Sequence, residues 1–296
     1  MNEIQEFDSC LTEDNYLTNM EGILKYGESK TDRTGVGTIG LVGLTINGVL
    51  SESRIPLLTT KRVFWKGVAE ELLWFIRGDT DSTILEEKGI NIWKGNTTRE
   101  FIDNRGLNYP EGEIGPGYGF QWRNWGGDYD EWLRNKNRTG IDQLENLIEG
   151  LREDPTSRRH ILSSWNVSQI EDMVLPPCHM ICQFISNGTD IDCVIFQRSC
   201  DYFLGVPFNI ASYSLLTHLI GHYTGLNPRL LRWVGGDVHI YNNHINQCRE
   251  QLTRTIKRCP TLELVNMPDS IEKVTMDNLV IHGYDPAPAI KADMAV

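Results

Sequence analysis

No CxxC pair occurs among the seven cysteines of this 296-residue chain, and an odd number cannot all be paired. Cys178 and Cys182 are four apart, with no second pair at zinc-site spacing. Neither a metal site nor a disulfide framework is expected, and a reducing compartment fits better. No apolar run approaches the ~18 residues of a membrane span. The acidic start, Met1-Asn-Glu-Ile-Gln-Glu6, lacks the apolar core of a secretory leader. A soluble cytoplasmic protein is therefore expected. Positive charge is also scarce, and a net charge of −12 argues against general affinity for nucleic acid. Gly35-Val-Gly37 is not followed by a helical pattern, which excludes a dinucleotide fingerprint. Repeats, low-complexity tracts and linkers are missing too, so residues 1–296 read as one domain, with about 1–15 as a short polar tail.

What is present is an ordinary apolar content of 40% and a clear succession of periodicities. Residues from about 15 to 27 carry helical spacing and stop at Gly27, and a glycine-bearing turn from Thr31 leads into strand-like sequence to about Leu50. Val63–Ile76 is an apolar, aromatic helix with Glu70 and Glu71 inside it, one of which is expected to face inward and need a partner or a task. From Gly78 to Gly127 the chain is broken repeatedly but rich in tryptophan, as loops covering a site would be. Ile141–Leu151 reads as an amphipathic helix. Strands follow at His160–Trp165, His179–Ser186 and Ile191–Arg198, the last two joined by the hairpin signal Asn187-Gly188. Pro207–Tyr223 is apolar almost all round, as a central buried helix would be. A strand at Leu230–Asp237 runs into Val238–Tyr241, a helix spans Asn242–Leu252, and the tail alternates Pro and Gly with short strand-like pieces. The expected class is α/β (α+β), a single domain with a large mixed sheet and a buried central helix.

The chemistry centres on Leu175-Pro-Pro-Cys-His179. Two prolines with fixed φ and no backbone N–H present Cys178 on a stiff entry to a buried strand, as a nucleophile would be held. A cysteine beside a turn is, taken singly, more often core than catalyst. Four arginines change that balance. Arg33 lies in the early polar turn, Arg158 and Arg159 precede a strand, and Arg198 ends one beside Ser199. Adjacent arginines are often an inert surface pair, but four at loop–strand junctions suit a phosphate or carboxylate, which guanidinium groups grip bidentately. Asn209 is placed to open the buried helix, where its ordinary role is an N-cap. Its amide also offers the donor and acceptor that a uracil edge matches. His239 and Tyr241 alternate, so on a strand they face one side.

Together these pieces resemble the thymidylate synthase family over nearly the whole chain, from about Thr31 to Val296. The matching segments are Asp32-Arg-Thr-Gly35, Leu57-Leu-Thr-Thr-Lys-Arg-Val-Phe-Trp-Lys-Gly67, Glu71-Leu-Leu-Trp-Phe75 and Tyr118-Gly-Phe-Gln-Trp-Arg123. They continue through Arg158-Arg159, Leu175–His179, Gln197-Arg-Ser199, Gly205-Val-Pro-Phe-Asn-Ile-Ala-Ser-Tyr213, His239-Ile-Tyr241 and the terminal Met294-Ala-Val296. The resemblance implies reductive methylation of deoxyuridylate (dUMP) to thymidylate (dTMP), with 5,10-methylenetetrahydrofolate as carbon donor and reductant and no metal. It implies Cys178 as the thiolate that adds to C6, Glu71 as organiser of proton transfer, and Tyr118, His179, Asn209 and Asp201 in support. Arg33, Arg198, Ser199 and Gln197 match nucleotide ligands, and His239 and Tyr241 match partners of the deoxyribose hydroxyl. Arg158 and Arg159 match residues that reach into a partner's site, which implies a homodimer. The folate would lie against Ile92, Trp93, Asp201, Leu204, Gly205 and Phe208, with Ala295 and Val296 closing over it.

Four positions depart from the family's usual pattern: Lys94 after Trp93, Gly117 before Tyr118, Phe196 before Gln197, and Ala287 between two prolines. The first two fall on the expected folate side. If water captured the methylene instead of hydride, the product would be 5-hydroxymethyl-deoxyuridylate, as in phage-type hydroxymethylases on the same scaffold. A cysteine hydrolase using Cys178 with a distant His and Asp is a different class of reading; it has no use for Asn209 or the arginine pair. A nucleotide-binding relic would be favoured by loss of Cys178, Glu71 or Asn209, and all three are present.

Overall fold

The computed structural model describes residues 11–294, built on a six-stranded mixed sheet. Its strands are β1 (Glu28–Lys30), β2 (Thr38–Val49), β3 (Ile161–Ser163), β4 (His179–Ser186), β5 (Asp190–Asp201) and β6 (Asn227–Tyr241), in the spatial order β1-β2-β6-β5-β4-β3. The β5–β6 pair is parallel and the other neighbours are antiparallel. The predicted Asn-Gly hairpin joins β4 to β5: the Asn187 side-chain Oδ1 accepts from the N–H groups of Thr189 and Asp190, while Gly188 takes φ 93°. A small antiparallel pair, β7 (Thr261–Leu264) and β8 (Leu279–His282), accounts for the strand-like tail.

The helices are α1 (Leu11–Tyr26), α2 (Trp65–Arg77), α3 (Thr83–Glu86), α4 (Arg99–Asn104), α5 (Tyr118–Asn124), α6 (Tyr129–Asn135), α7 (Gln143–Glu153), α8 (Gly205–Thr224) and α9 (Ile245–Leu252). A parallel pair of strands needs a crossover, and α8 supplies it. Its residues from Ile210 to Gly221 are buried on all sides, as its uniform apolarity predicts. Its hydroxyls stay satisfied by bonding back along the helix, Ser214 to the Ile210 carbonyl and Thr217 to that of Tyr213, each at 2.7 Å.

Three expectations are corrected. Helix α1 begins at Leu11, not at about residue 15. The reason is Glu13, whose buried carboxylate accepts from the N–H and hydroxyl groups of both Thr59 and Thr60. The stretch from Gly78 to Gly127 is not loop alone but holds α3, α4 and α5. Helices this short have little stability of their own; α3 and α4 bury Leu85 and Ile102, and α5 packs Tyr118, Phe120 and Trp122 against neighbouring rings. Asn209 does not cap α8, which starts four residues earlier at Gly205. Asp201 folds that entry, its Oδ1 accepting from the N–H groups of Phe203 and Leu204 at 3.1 Å each.

Candidate active site

Cys178 enters β4 directly after the two prolines, and its backbone is held from both sides. Its N–H donates to the Tyr118 hydroxyl at 2.8 Å, and its carbonyl accepts from the Arg198 N–H at 2.8 Å. The Arg198 guanidinium reaches across to the Pro177 and Pro176 carbonyls at 2.9 and 2.8 Å and lies 5.3 Å from the Trp165 ring. The prolines donate nothing, but their carbonyls remain acceptors, so an arginine can clamp the turn. A register irregularity between His179 and Ile181 follows immediately. Such breaks re-aim side chains beside functional groups.

Burial pushes the Cys178 thiol above its ordinary range. Arg198 opposes that shift, Asp201 adds to it, and the Tyr118 hydroxyl again opposes it. Tyr118 itself sits at φ 30°, in the left-handed region where a side chain is strained. Its ring stacks on Phe75 at 4.8 Å and meets His179 at 4.5 Å. The next residue, Gly119, lets α5 press on α2: a Cβ there would stand 2.6 Å from the Phe75 carbonyl oxygen.

Of the two glutamates on α2, Glu70 pairs with Lys88 at 2.6 Å, and Glu71 is the one that turns to the site. Trp93 Nε1 donates to Glu71 Oε1 at 2.8 Å. Burial lifts the Glu71 carboxyl to about 7, with the Trp93 bond acting the other way. A carboxyl near neutrality both gives and takes a proton at physiological pH. Burial has the reverse effect on His179, lowering it to about 3. The His179 Nδ1 pairs with the Tyr213 hydroxyl at 2.9 Å. Its ring is thus neutral and tied into the hydrogen-bond network beside Tyr118 and Tyr213.

On the nucleotide side the expected residues divide. The Gln197 amide serves as a strut, its oxygen accepting from Trp233 Nε1 at 2.9 Å and its nitrogen donating to the Ser199 carbonyl at 3.0 Å. Ser199 is half-buried beside it. His239 and Tyr241 do share a face, with their rings edge to face at 5.3 Å. Asp32 folds its turn by accepting from the N–H groups of Thr34 and Gly37, which leaves Arg33 exposed. Arg33 stands near enough to Tyr241 to act on its hydroxyl. Arg158 and Arg159 are exposed before β3, and neither forms an ion pair with a described residue. Asn209 is half-buried on α8, and its amide has no hydrogen-bond partner among the described residues.

On the expected folate side, Trp93 is buried against Glu71 and Tyr118, while Ile92, Leu204, Gly205 and Phe208 are half-buried. At Gly205 a Cβ would stand 3.6 Å from the Asp201 Cβ and 3.8 Å from Asn209 Oδ1, filling the room in front of that unpaired amide. Ala295 lies outside the described residues. The departures from the family pattern sit apart from these contacts. Lys94 is exposed and paired with Glu86 at 2.8 Å, Phe196 is exposed on β5, and Ala287 exchanges main-chain bonds with Thr59 and Arg62. Gly117 precedes α5, where a Cβ would contact the Ile114 side chain at 3.4 Å.

Two residues escaped the sequence reading. Lys61, inside a quoted segment, is buried, donates to the Phe203 carbonyl and lies over the Phe203 ring at 3.6 Å. Burial lowers its ammonium to about 8. Asp237 meets His239, and alternation along the strand was the available signal. Among the described residues no group of three or more His, Cys, Asp or Glu side chains is placed to hold a metal, and no helix is long and apolar enough to cross a membrane.

Comparison with known proteins bears on the whole chain. The family model for thymidylate synthase matches residues 14–296. A thymidylate synthase of Ascaris suum is 48% identical over 282 residues, 95% of this chain and 96% of that protein. The Homo sapiens thymidylate synthase is 45% identical over 282 residues, 95% and 90% of the two chains. A bifunctional dihydrofolate reductase-thymidylate synthase of Leishmania major is 46% identical over 300 residues, covering 98% of this chain and 58% of that one.

Proposed function

The chain belongs to the thymidylate synthase family, and on that premise we propose that it methylates deoxyuridylate reductively to thymidylate through a covalent bond between Cys178 Sγ and C6 of the uracil. The observation that carries this is the clamped Cys178, held by Tyr118 and Arg198 in the same cluster as a buried glutamate poised near neutrality.

The thiolate is the attacking form. Burial disfavours it here, and the Arg198 guanidinium is the group in the chain that favours it most. As Sγ bonds to C6, the C5–C6 π electrons move toward O4, and the Asn209 amide is free to pair with the N3–H and O4 edge. Methylenetetrahydrofolate, when bound, supplies the one-carbon unit and the hydride that completes the methyl group. Gly205 leaves the room it needs beside Asn209, and Ile92, Trp93, Leu204 and Phe208 offer an apolar wall. Glu71 then holds and moves the proton exchanged around O4 and C5, kept in orientation by Trp93. Elimination of Sγ from C6 restores the ring and the enzyme.

Arg33, Arg198 and Ser199 bind the phosphate in this reading. Arg158 and Arg159, exposed and without ion pairs in one chain, complete the site of the second subunit of a homodimer. A cytoplasmic location belongs to the same reading, since Cys178, Cys182, Cys193, Cys200 and Cys248 are free thiols. The cysteine hydrolase alternative, which needs a distant His and Asp, leaves Asn209, Arg158 and Arg159 without a task.

Product analysis tests the proposal. Protein incubated with deoxyuridylate and methylenetetrahydrofolate is expected to yield thymidylate and dihydrofolate, the latter seen as an absorbance rise. Tetrahydrofolate with a hydroxymethyl nucleotide by mass spectrometry would replace this reading with water capture.

A further inference from the structure

Alternate residues of a strand point the same way, so Asp237, His239 and Tyr241 occupy one face of β6. His239 Nδ1 lies 3.0 Å from Asp237 Oδ1, and the other Asp237 oxygen accepts from Lys30 Nζ at 3.0 Å. Lys30 and Asp237 are both nearly half exposed, at 46% and 45% of their side chains, whereas His239 is 11% exposed. An exposed ion pair contributes little to stability. The bond from Asp237 to His239 is the part shielded from water, and so the part with a consequence.

Burial raises the Asp237 carboxyl, but the bonds from Lys30 and His239 outweigh it and keep the group below its usual range. An ionised carboxylate only accepts, so the shared proton is carried by His239 Nδ1. In a neutral imidazole the other nitrogen, Nε2, then holds a lone pair. Asp237 also stands in register opposite Ser199 on β5, beside the expected phosphate ligands, where Lys30 offsets its charge.

We propose that Asp237 is a positioning residue that fixes the tautomer of His239, making Nε2 an acceptor and requiring a free 3′-hydroxyl donor on the sugar of the nucleotide. This rests on His239 and Tyr241 as the partners of that hydroxyl. Nε2 accepts its proton, and the Tyr241 hydroxyl donates to the same oxygen. A 3′-deoxy sugar, or one whose 3′-oxygen is methylated, offers no proton and leaves Nε2 unpaired.

The test joins a spectroscopic readout on the ligand-free chain to kinetics. Nitrogen-15 spectra of histidine-labelled protein, with His239→Gln used for assignment, are expected to show Nε2 of His239 unprotonated. Asp237→Asn keeps a neutral acceptor and should keep that signal, while Asp237→Ala shifts it toward the protonated form. Asp237→Ala is expected to raise KM for deoxyuridylate about fivefold to tenfold with kcat within about twofold, and Asp237→Asn to recover most of the loss. The 3′-deoxy analogue should bind wild type and Asp237→Ala equally weakly. A protonated Nε2 in wild type, or an Asp237→Ala spectrum identical to it, overturns the proposal. Should Asp237→Ala fold poorly, the wild-type spectrum alone decides the tautomer. If wild type does not turn over deoxyuridylate, the functional reading fails, and the spectrum still tests Asp237.

Discussion

Around Cys178 and Glu71 the polar groups are tied to the chain itself: Tyr118 and Arg198 hold the cysteine backbone, Trp93 holds the glutamate, and Tyr213 holds His179. Around the expected nucleotide Gln197 and His239 are held as well, but Arg33, Arg158 and Arg159 are exposed without ion pairs and Asn209 is unpaired among the described residues. The first region is organised before any ligand arrives, which suits groups that must be aligned for chemistry. The second keeps these arginines and Asn209 free, which suits groups that must exchange water for a ligand. Arg198 belongs to both, since it clamps the proline turn and still faces the thiol.

Variants can break this contrast. Cys178→Ser removes the proposed nucleophile from an otherwise intact frame. Turnover should fall by roughly 10⁴-fold or more, and 5-fluorodeoxyuridylate should no longer be trapped; full activity would remove the assignment.

Glu71→Gln should lower kcat by roughly 10²-fold or more and should also expose a pH effect on stability. Burial lifts Glu71 from 4.5 to about 7, so its contribution to stability is fully present below pH 4.5 and is lost as pH rises through 7. Burial lowers His179 from 6.5 to about 3, so its contribution is present above pH 6.5 and is lost as pH falls toward 3. Between pH 4.5 and 6.5 the two slopes oppose each other. In Glu71→Gln the His179 slope remains, and urea unfolding should show stability rising with pH there by up to about 1.4 kcal/mol per unit. A slope unchanged from wild type would contradict the burial of Glu71.

Arg158→Ala tests the open region. It should raise KM for deoxyuridylate by roughly tenfold or more, the scale of a lost charge-assisted hydrogen bond, with folding stability little changed. Mixing it with Cys178→Ser protein should restore activity if subunits share sites. Heterodimers that remain inactive would count against sharing. The smallest effect is expected at Lys94→Ala, which cuts an exposed pair with Glu86. Its kcat/KM should stay within about twofold of wild type, and a larger drop would place Lys94 on the folate path.

Legibility followed the range of the interaction. The hairpin at Asn187-Gly188, the stop at Gly27, the buried α8 and the shared face of His239 and Tyr241 are set by neighbours a few residues apart, and each could be read from the sequence. The start of α1 could not, because Glu13 is held by Thr59 and Thr60, 46 and 47 residues away. The choice of Glu71 over Glu70 depends on Trp93, 22 residues on. The role of Gln197 as a strut depends on Trp233, 36 residues on.

By itself, the sequence determined the class of fold, the stiff presentation of Cys178 and the set of residue types brought to the chemistry, because periodicity, proline geometry and side-chain functionality are local properties. Only the tertiary structure decided what those groups do to one another. Tyr118 reaches the Cys178 N–H across 60 residues of chain, and Arg198 reaches the Pro176 carbonyl across 22. The burial that moves Glu71 up and His179 down exists only once the sheet, α2 and α8 have closed around them. Desolvation and hydrogen-bond pairing belong to neighbours in space, and those the fold alone assigns.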